Sequence, residues 1–335
     1  MDNESFILVV GAGGLLGRAL VKSARNQNKK LVIARNLPWN NSSQVLEKLN
    51  TILSNAFADQ RNSASHTPNT GIPESLNKAW TLIWCAGAGT TGTTAADLNK
   101  ETELFHDFIE LLHHNFSAQL KDLTFFYASS AGGLYAGSSN PPFTEQTPPA
   151  PLAPYGFAKL ACENAVSSLT NDGATVAIGR IANLYGPGQD ISKPQGLVSQ
   201  LCLSYHKGTF NKIFVSLDTL RDYIYTDDAA TLIFRFIEAA HHNAPGKKSI
   251  KIIGSGYSLS IAELIGVAKA IFKRKLPYLQ VVSNQTSVQA RDLRLQSTVF
   301  LEVDAIELTT FPSGFFRTNQ DIGTRFRLNQ TNLKR

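Results

Sequence analysis

Short apolar runs recur along the chain, separated by stretches with helical spacing. Phe6-Ile7-Leu8-Val9-Val10 is wholly apolar and ends in glycines, the pattern of a parallel strand buried on both faces. Leu15 to Lys22 begins a helix and Leu31-Val32-Ile33 is a second buried strand, so the chain opens with a βαβ unit. Leu82-Ile83-Trp84-Cys85, Leu123 to Tyr127 and Thr175 to Ile178 repeat the strand pattern between helical stretches. This alternation predicts an α/β fold with a doubly wound parallel sheet, Rossmann-like in order. Residues 36–77 break the rhythm. They are rich in Asn, Ser and Thr, and Ser63 to Pro73 has no clear period, which predicts a surface insertion with one helix in Gln44 to Ala56. After about Ile181 the alternation loosens at Pro187, Gly188, Pro194 and Gly196. The expected division is a sheet domain over 1–180, rejoined by about 212–254, and a smaller lobe over 181–335. Thr318 to Arg335 is polar and is expected to fray in part.

Composition narrows the class. At 335 residues and 43% hydrophobic content, the chain can bury one large α/β core with a smaller partner. The net charge of +6 comes without a dense Lys/Arg block, which argues against nucleic acid or a membrane surface and fits a groove for an anionic small molecule. Cys85, Cys162 and Cys202 show no CxxC and no metal-like spacing with His, so they read as buried fillers in a reducing compartment, with no metal site. No basic segment precedes an apolar one at the N-terminus, and no apolar run approaches roughly 18 residues. A cytoplasmic protein is expected.

Gly11, Gly14 and Gly17 form G-x-x-G-x-x-G between the first strand and the first helix. A dinucleotide pyrophosphate needs such glycines to approach the backbone, and the helix N-terminus then offers it unpaired N–H groups. NAD-binding chains place Asp or Glu at the end of the second strand to hold the adenosine ribose. Here Ala34-Arg35-Asn36 stands there. Arg35 cannot accept those bonds, but its guanidinium suits a 2′-phosphate, with Arg18 positioned to assist. NADP is therefore expected, with NAD as the alternative; the plainer account makes Arg35 a surface charge.

Tyr155-Gly156-Phe157-Ala158-Lys159 is Y-x-x-x-K, which puts the phenol and the ammonium on one helix face. A free phenol is a poor base at neutral pH, and an adjacent ammonium favours its ionised form. Tyr155 can then exchange a proton with a substrate hydroxyl, while Lys159 also holds the nicotinamide ribose. A hydroxyl partner is expected at the end of the preceding strand, where Phe125 to Ser130 supplies Ser130, with Ser129 as the alternative.

With these motifs on the page, the chain resembles the extended short-chain dehydrogenase/reductase family, in particular its NAD(P)-dependent nucleotide-sugar epimerase/dehydratase branch, from about Phe6 to about Leu264. The resemblance also rests on Trp84-Cys85-Ala86-Gly87, on Ser129 to Tyr135, on Arg180 to Gly188 and on Arg221 to Asp228. It implies that Ala86 and Gly87 line the cofactor, and that Ser129 and Asn183 contact substrate. Arg221 would pair with the diphosphate of a nucleotide sugar, to which an Arg fork is suited. Arg291 or Arg294 would assist. The lobe 181–335 is then mainly a substrate-binding lobe, and a homodimer through Leu98 to His113 and Tyr155 to Leu169 is expected.

Two departures matter. The family hydroxyl often stands four residues before the tyrosine matched by Tyr135, where this chain has Ala131. The Asp-Glu pair of the dehydratases is replaced by Ala131, Gly132 and Gly133, which disfavours a 4,6-dehydratase. Three functions remain: a nucleotide-sugar epimerase, an NADPH-dependent NDP-4-keto-sugar reductase, and a non-catalytic dinucleotide sensor. Retention of both Tyr155 and Lys159 speaks against the last.

Overall fold

The computed structural model describes residues 6–64, 79–90, 92–193, 195–273, 277–281 and 290–332. The chain runs β1 (Phe6–Val10), α1 (Leu15–Asn26), β2 (Lys30–Ala34), α2 (Ser42–Ala64), β3 (Trp80–Trp84), α3 (Ala95–Asn115), α4 (Ser117–Leu120), β4 (Leu123–Ser130), α5 (Ala131–Leu134), α6 (Pro154–Ser167) and β5 (Thr175–Ile181). It continues through β6 (Asn183–Tyr185), α7 (Leu197–Lys207), β7 (Asn211–Ile213), β8 (Leu220–Tyr225), α8 (Thr226–Asn243), β9 (Lys248–Ile253), β10 (Ser258–Ser260), α9 (Ile261–Phe272), β11 (Tyr278–Gln280), β12 (Asp292–Leu293) and α10 (Phe311–Asn332).

Six strands form one parallel sheet in the order β2-β1-β3-β4-β5-β9. Because successive strand residues point to opposite faces, each apolar run feeds two cores. Phe6, Leu8, Val10, Phe125 and Tyr127 pack with α2, α3 and α6, whereas Ile7, Val9, Phe126 and Ile253 pack with α1 and α8. This is the doubly wound architecture. The strand order reverses between β1 and β3, so their carboxyl ends open the crevice where ligands settle in such sheets.

The insertion is more integral than its composition suggests. Helix α2 runs past the expected Gln44–Ala56, because Val45, Leu49 and Leu53 make a buried i, i+4, i+8 stripe and Phe57 then packs edge-on against the rings of Phe6 and Trp80. The aperiodic part of Ser63 to Pro73 lies largely outside the described residues, as does Pro194. Residues 212–225 stand in the smaller lobe. There β7 pairs with β11, and β8 pairs with β6, β10 and β12, so the chain returns to the main sheet only with α8 and β9. The lobe has its own core of Tyr185, Leu201, Leu264 and Phe315 between α7, α9 and α10. Helix α10 continues to Asn332, and its buried Phe315, Thr318 and Ile322 hold the stretch expected to fray.

Two buried polar clusters fix the edges of the site. Lys251 on β9 has no exposed surface and donates to Ser297 Oγ (2.7 Å), Val299 O (2.9 Å) and Asp304 Oδ2 (2.7 Å), tying the returning chain to the sheet. Arg180 at the end of β5 forms a fork on Glu163 of α6, with Nε to Oε1 at 3.1 Å and Nη2 to Oε2 at 2.8 Å. Its Nη1 reaches Tyr135 Oη (2.7 Å), which donates in turn to Thr144 O (2.9 Å). Two desolvated ions are tolerable because these groups are fully hydrogen-bonded. Arg180→Leu strands Glu163 as an unpaired buried charge and should cost about 3–5 kcal/mol, most of it recovered in the Glu163→Leu, Arg180→Leu double variant. Urea unfolding followed by tryptophan fluorescence measures both; a double variant no more stable than the single one would contradict this account.

Candidate active site

The first glycine turn has the tightness a dinucleotide cradle needs. Gly11 holds φ +96°, and a Cβ there would lie 2.4 Å from the backbone nitrogen of Ala86. A Cβ on Gly17 would lie 2.1 Å from Gly11 O, so α1 presses directly on the turn. Gly14 is the N-cap of α1 and has no side chain to spend on the first-turn N–H groups, which are left for an anion. Gly87, at φ +144°, continues the same edge beyond β3. A pyrophosphate fits this cradle of bare backbone.

The two arginines expected beside it part company. Arg35 follows β2 directly, stands exposed, and makes no hydrogen bond or ion pair with any described residue. Arg18 points the other way. Its Nη2 donates to Gly188 O at 2.6 Å, bracing α1 against the loop after β6, so it is not placed to assist Arg35.

Tyr155 and Lys159 open α6, with Pro154 at its first turn. Lys159 Nζ lies 5.8 Å from the Tyr155 ring centroid and 5.1 Å from that of Tyr127, and donates to Ala128 O at 3.0 Å. Ser130 caps α5 by accepting from Gly133 N–H at 3.2 Å. Gly133 is the hinge between hydroxyl and phenol: a Cβ there would meet the Tyr155 ring at 3.1 Å. A Cβ on Gly156 would lie 2.2 Å from Gly133 O. Two glycines thus let α5 and α6 touch backbone to backbone, which sets Ser130 and Tyr155 on either side of one residue.

Ser129 is a correction. It alternates with Ser130 across the sheet, lies buried, and donates to Glu163 Oε1 at 2.6 Å, so it faces the Arg180 cluster rather than a ligand.

On the lobe side, Asn183 is exposed and donates to Asp222 O at 2.9 Å, leaving its amide oxygen available. Arg221 is buried on β8 and spends one donor on Leu220 O at 2.8 Å. Its neighbour Asp222 does not neutralise it. That carboxylate accepts from Ser255 N, Ser255 Oγ and Gly256 N, and burial pushes its carboxyl up to about 6. Arg221 has no ion-pair partner among the described residues, and burial holds its guanidinium below the usual arginine range. The two assisting arginines are already committed, Arg291 to Asp218 and Arg294 to Asp292.

The sequence reading missed Glu101 on α3, whose carboxylate takes the N–H groups of Ala88 and Gly89 beside the cradle. It also missed Glu163, which stands one turn beyond Lys159 and completes the Y-x-x-x-K-x-x-x-E face. The cysteines are free: Cys85 is half-buried, its thiol pushed up to about 12 by desolvation, and Cys162 and Cys202 are buried. Among the described residues no group of three His, Cys, Asp or Glu side chains could hold a metal ion, and no helix is long and apolar enough to cross a membrane.

The chain is similar to proteins already known. Residues 7–252 match the NAD dependent epimerase/dehydratase family. A putative UDP-glucose 4-epimerase of Methanocaldococcus jannaschii is 25% identical over 264 residues, covering 78% of this chain and 81% of that protein. The dTDP-4-dehydro-6-deoxyglucose reductase of Escherichia coli is 31% identical over 141 residues, and that match spans 42% of each, less than half of the relative's length. Among solved structures, the UDP-glucose 4-epimerase of Thermotoga maritima with UDP-glucose superposes with TM-score 0.74 at 19% identity, over 96% of this chain and 99% of that one. The chain belongs to the NAD dependent epimerase/dehydratase family.

Proposed function

We propose that the chain is an epimerase of a nucleotide sugar, working by transient oxidation of a sugar hydroxyl with Tyr155 as acid and base. The observation that carries this reading is the meeting of Tyr155 and Ser130 at Gly133, with the Lys159 ammonium 5.8 Å from the Tyr155 ring centroid. When bound in the glycine cradle, a nicotinamide dinucleotide supplies a two-electron acceptor and donor. The chain's own residues do the rest. Tyr155 Oη takes the proton from the substrate hydroxyl and later returns it. The Lys159 ammonium faces the Tyr155 ring and holds the cofactor ribose, anchored meanwhile on Ala128 O. Ser130 hydrogen-bonds the same substrate oxygen and keeps it within reach.

Arg221 supports the nucleotide-diphosphate part of this reading. A buried cation with no ion pair is costly, since Asp292 offsets the burial only in part, and a diphosphate supplies further negative charge in a form that an arginine fork engages through two bonds. Asn183, at the neighbouring strand, offers its free amide oxygen to the sugar.

Arg35 favours a second reading, an NADPH-dependent reductase of a 4-keto sugar, because the unpaired guanidinium beyond β2 suits a 2′-phosphate. Incubation with UDP-, GDP- and dTDP-sugars and their 4-keto forms separates the two. Interconversion without net loss of cofactor is the expected result; stoichiometric consumption of NADPH would replace the epimerase with the reductase. Tyr155→Phe should lower turnover by at least about a hundredfold with cofactor affinity within twofold, on the usual magnitude of acid–base catalysis. Unchanged turnover in that variant would refute the role of Tyr155, and no turnover by the unaltered protein on any of these sugars would favour a sensor.

The choice of dinucleotide has its own test. Arg35→Asp should shift selectivity from NADP toward NAD by about tenfold or more, since it removes a charge-assisted bond and adds a ribose acceptor. The ratio of the two dissociation constants, measured by titration, decides it; an unchanged ratio makes Arg35 a plain surface charge.

A further inference from the structure

The roles assigned above leave one charged group beside the cradle unused. Glu101, in the second turn of α3, turns its carboxylate back to the end of β3, where Oε1 accepts from Ala88 N–H at 2.9 Å and Oε2 from Gly89 N–H at 3.4 Å. Glu101 Oε2 lies 3.5 Å from the point where a Gly87 side chain would begin and 3.3 Å from the corresponding point at Gly89. The Tyr155 ring carbon Cδ2 lies 3.6 Å from that same Gly89 point. The carboxylate therefore backs the short glycine loop that runs from the cradle to the phenol. It forms no ion pair with any described residue; its partners are the two loop N–H groups.

A neutral side chain could tether two backbone N–H groups. A carboxylate does that and also sets an uncompensated negative charge at the catalytic end of the crevice. The two forms of a nicotinamide cofactor differ there by one positive charge, carried on the ring of the oxidised form. We propose that Glu101 makes the site hold the oxidised cofactor in preference to the reduced one. This rests on the dinucleotide reading of the glycine cradle given above, and it deepens it. An epimerase begins and ends each turnover with oxidised cofactor, so a pocket that retains this form keeps the enzyme ready, whereas a reductase gains nothing from it. The magnitude is modest: one carboxylate acting across a half-solvated loop should favour the cation by about fivefold.

The test is a set of direct titrations of the purified protein with NADP+, NADPH, NAD+ and NADH, following protein and nicotinamide fluorescence. Glu101→Gln keeps the size and one acceptor for the loop but removes the charge. Affinity for the oxidised forms should fall about fivefold while that for the reduced forms moves less than twofold. Glu101→Asp keeps the charge at shorter reach and should weaken both forms together with their ratio retained. Equal loss of both forms in Glu101→Gln would make the residue a loop tether only and overturn the proposal. Should the unaltered protein bind none of the four dinucleotides, the reading of the cradle itself falls, and the proposal with it; that result cannot be confused with an unchanged ratio.

Discussion

The carboxyl end of β4 is the point on which the site is built, and helix α6 holds it with two side chains one turn apart. Lys159 takes the carbonyl of Ala128, and Glu163 takes the hydroxyl of Ser129. Strand alternation then leaves Ser130 no direction but the cleft, where it caps α5 and brings Gly133 against Tyr155. The helix that carries the phenol thus also aims the hydroxyl. Because Glu163 is itself locked by the Arg180 fork, the arrangement inherits the rigidity of a fully satisfied buried ion pair.

The comparison of two buried arginines shows how the lobe and the sheet divide their work. Arg180 spends three nitrogens on Glu163 and Tyr135, so its charge is settled within the protein and its contribution is to shape. Arg221 makes one backbone bond and no ion pair; burial disfavours its charge, and Asp292, itself bonded to Arg294, only partly offsets this from a distance. The adjacent Asp222 could have neutralised it; instead its oxygens are saturated by the turn at Ser255 and Gly256. On the reading proposed above, turning Asp222 away from the buried guanidinium leaves its remaining donors for the diphosphate of a ligand.

What the sequence made legible follows from the range of the interactions involved. Five of the six strands of the main sheet could be read because each carries a short apolar run, whereas β9, Lys248-Ser249-Ile250-Lys251-Ile252-Ile253, does not; the cradle could be read because glycine is required wherever backbones meet at the distances of Gly11 and Ala86. The destination of β7 and β8 could not, since a strand's own pattern does not say which sheet it joins. Ser129 and Ser130 were indistinguishable for a related reason: alternation says that they face opposite ways, but only the packing of α6 says which way is inward. Arg18 offered no local hint of Gly188, which lies far along the chain. Glu101 looked like any acid on a helix, because its partners are backbone groups of a loop twelve and thirteen residues away that sequence pattern does not position.

The charges around the crevice are distributed by task. Arg35 stands exposed at the outer end, directly after β2, where the proposed reading puts the adenosine half of a dinucleotide. Glu101 stands behind the loop at the inner end, where the same reading puts the nicotinamide half. On the reading proposed here the first residue selects which dinucleotide enters and the second selects its redox form. The two choices are physically separable, because opposite charges at the two ends of a screened, partly solvated crevice interact weakly with each other. That separation lets a preference for NADP, the cofactor ordinarily associated with net reduction, coexist with a site that rests oxidised. Arg35 favours a reductase only while it is the sole charge considered; on the proposed reading Glu101, at the other end of the crevice, weighs toward an enzyme that returns its cofactor unchanged.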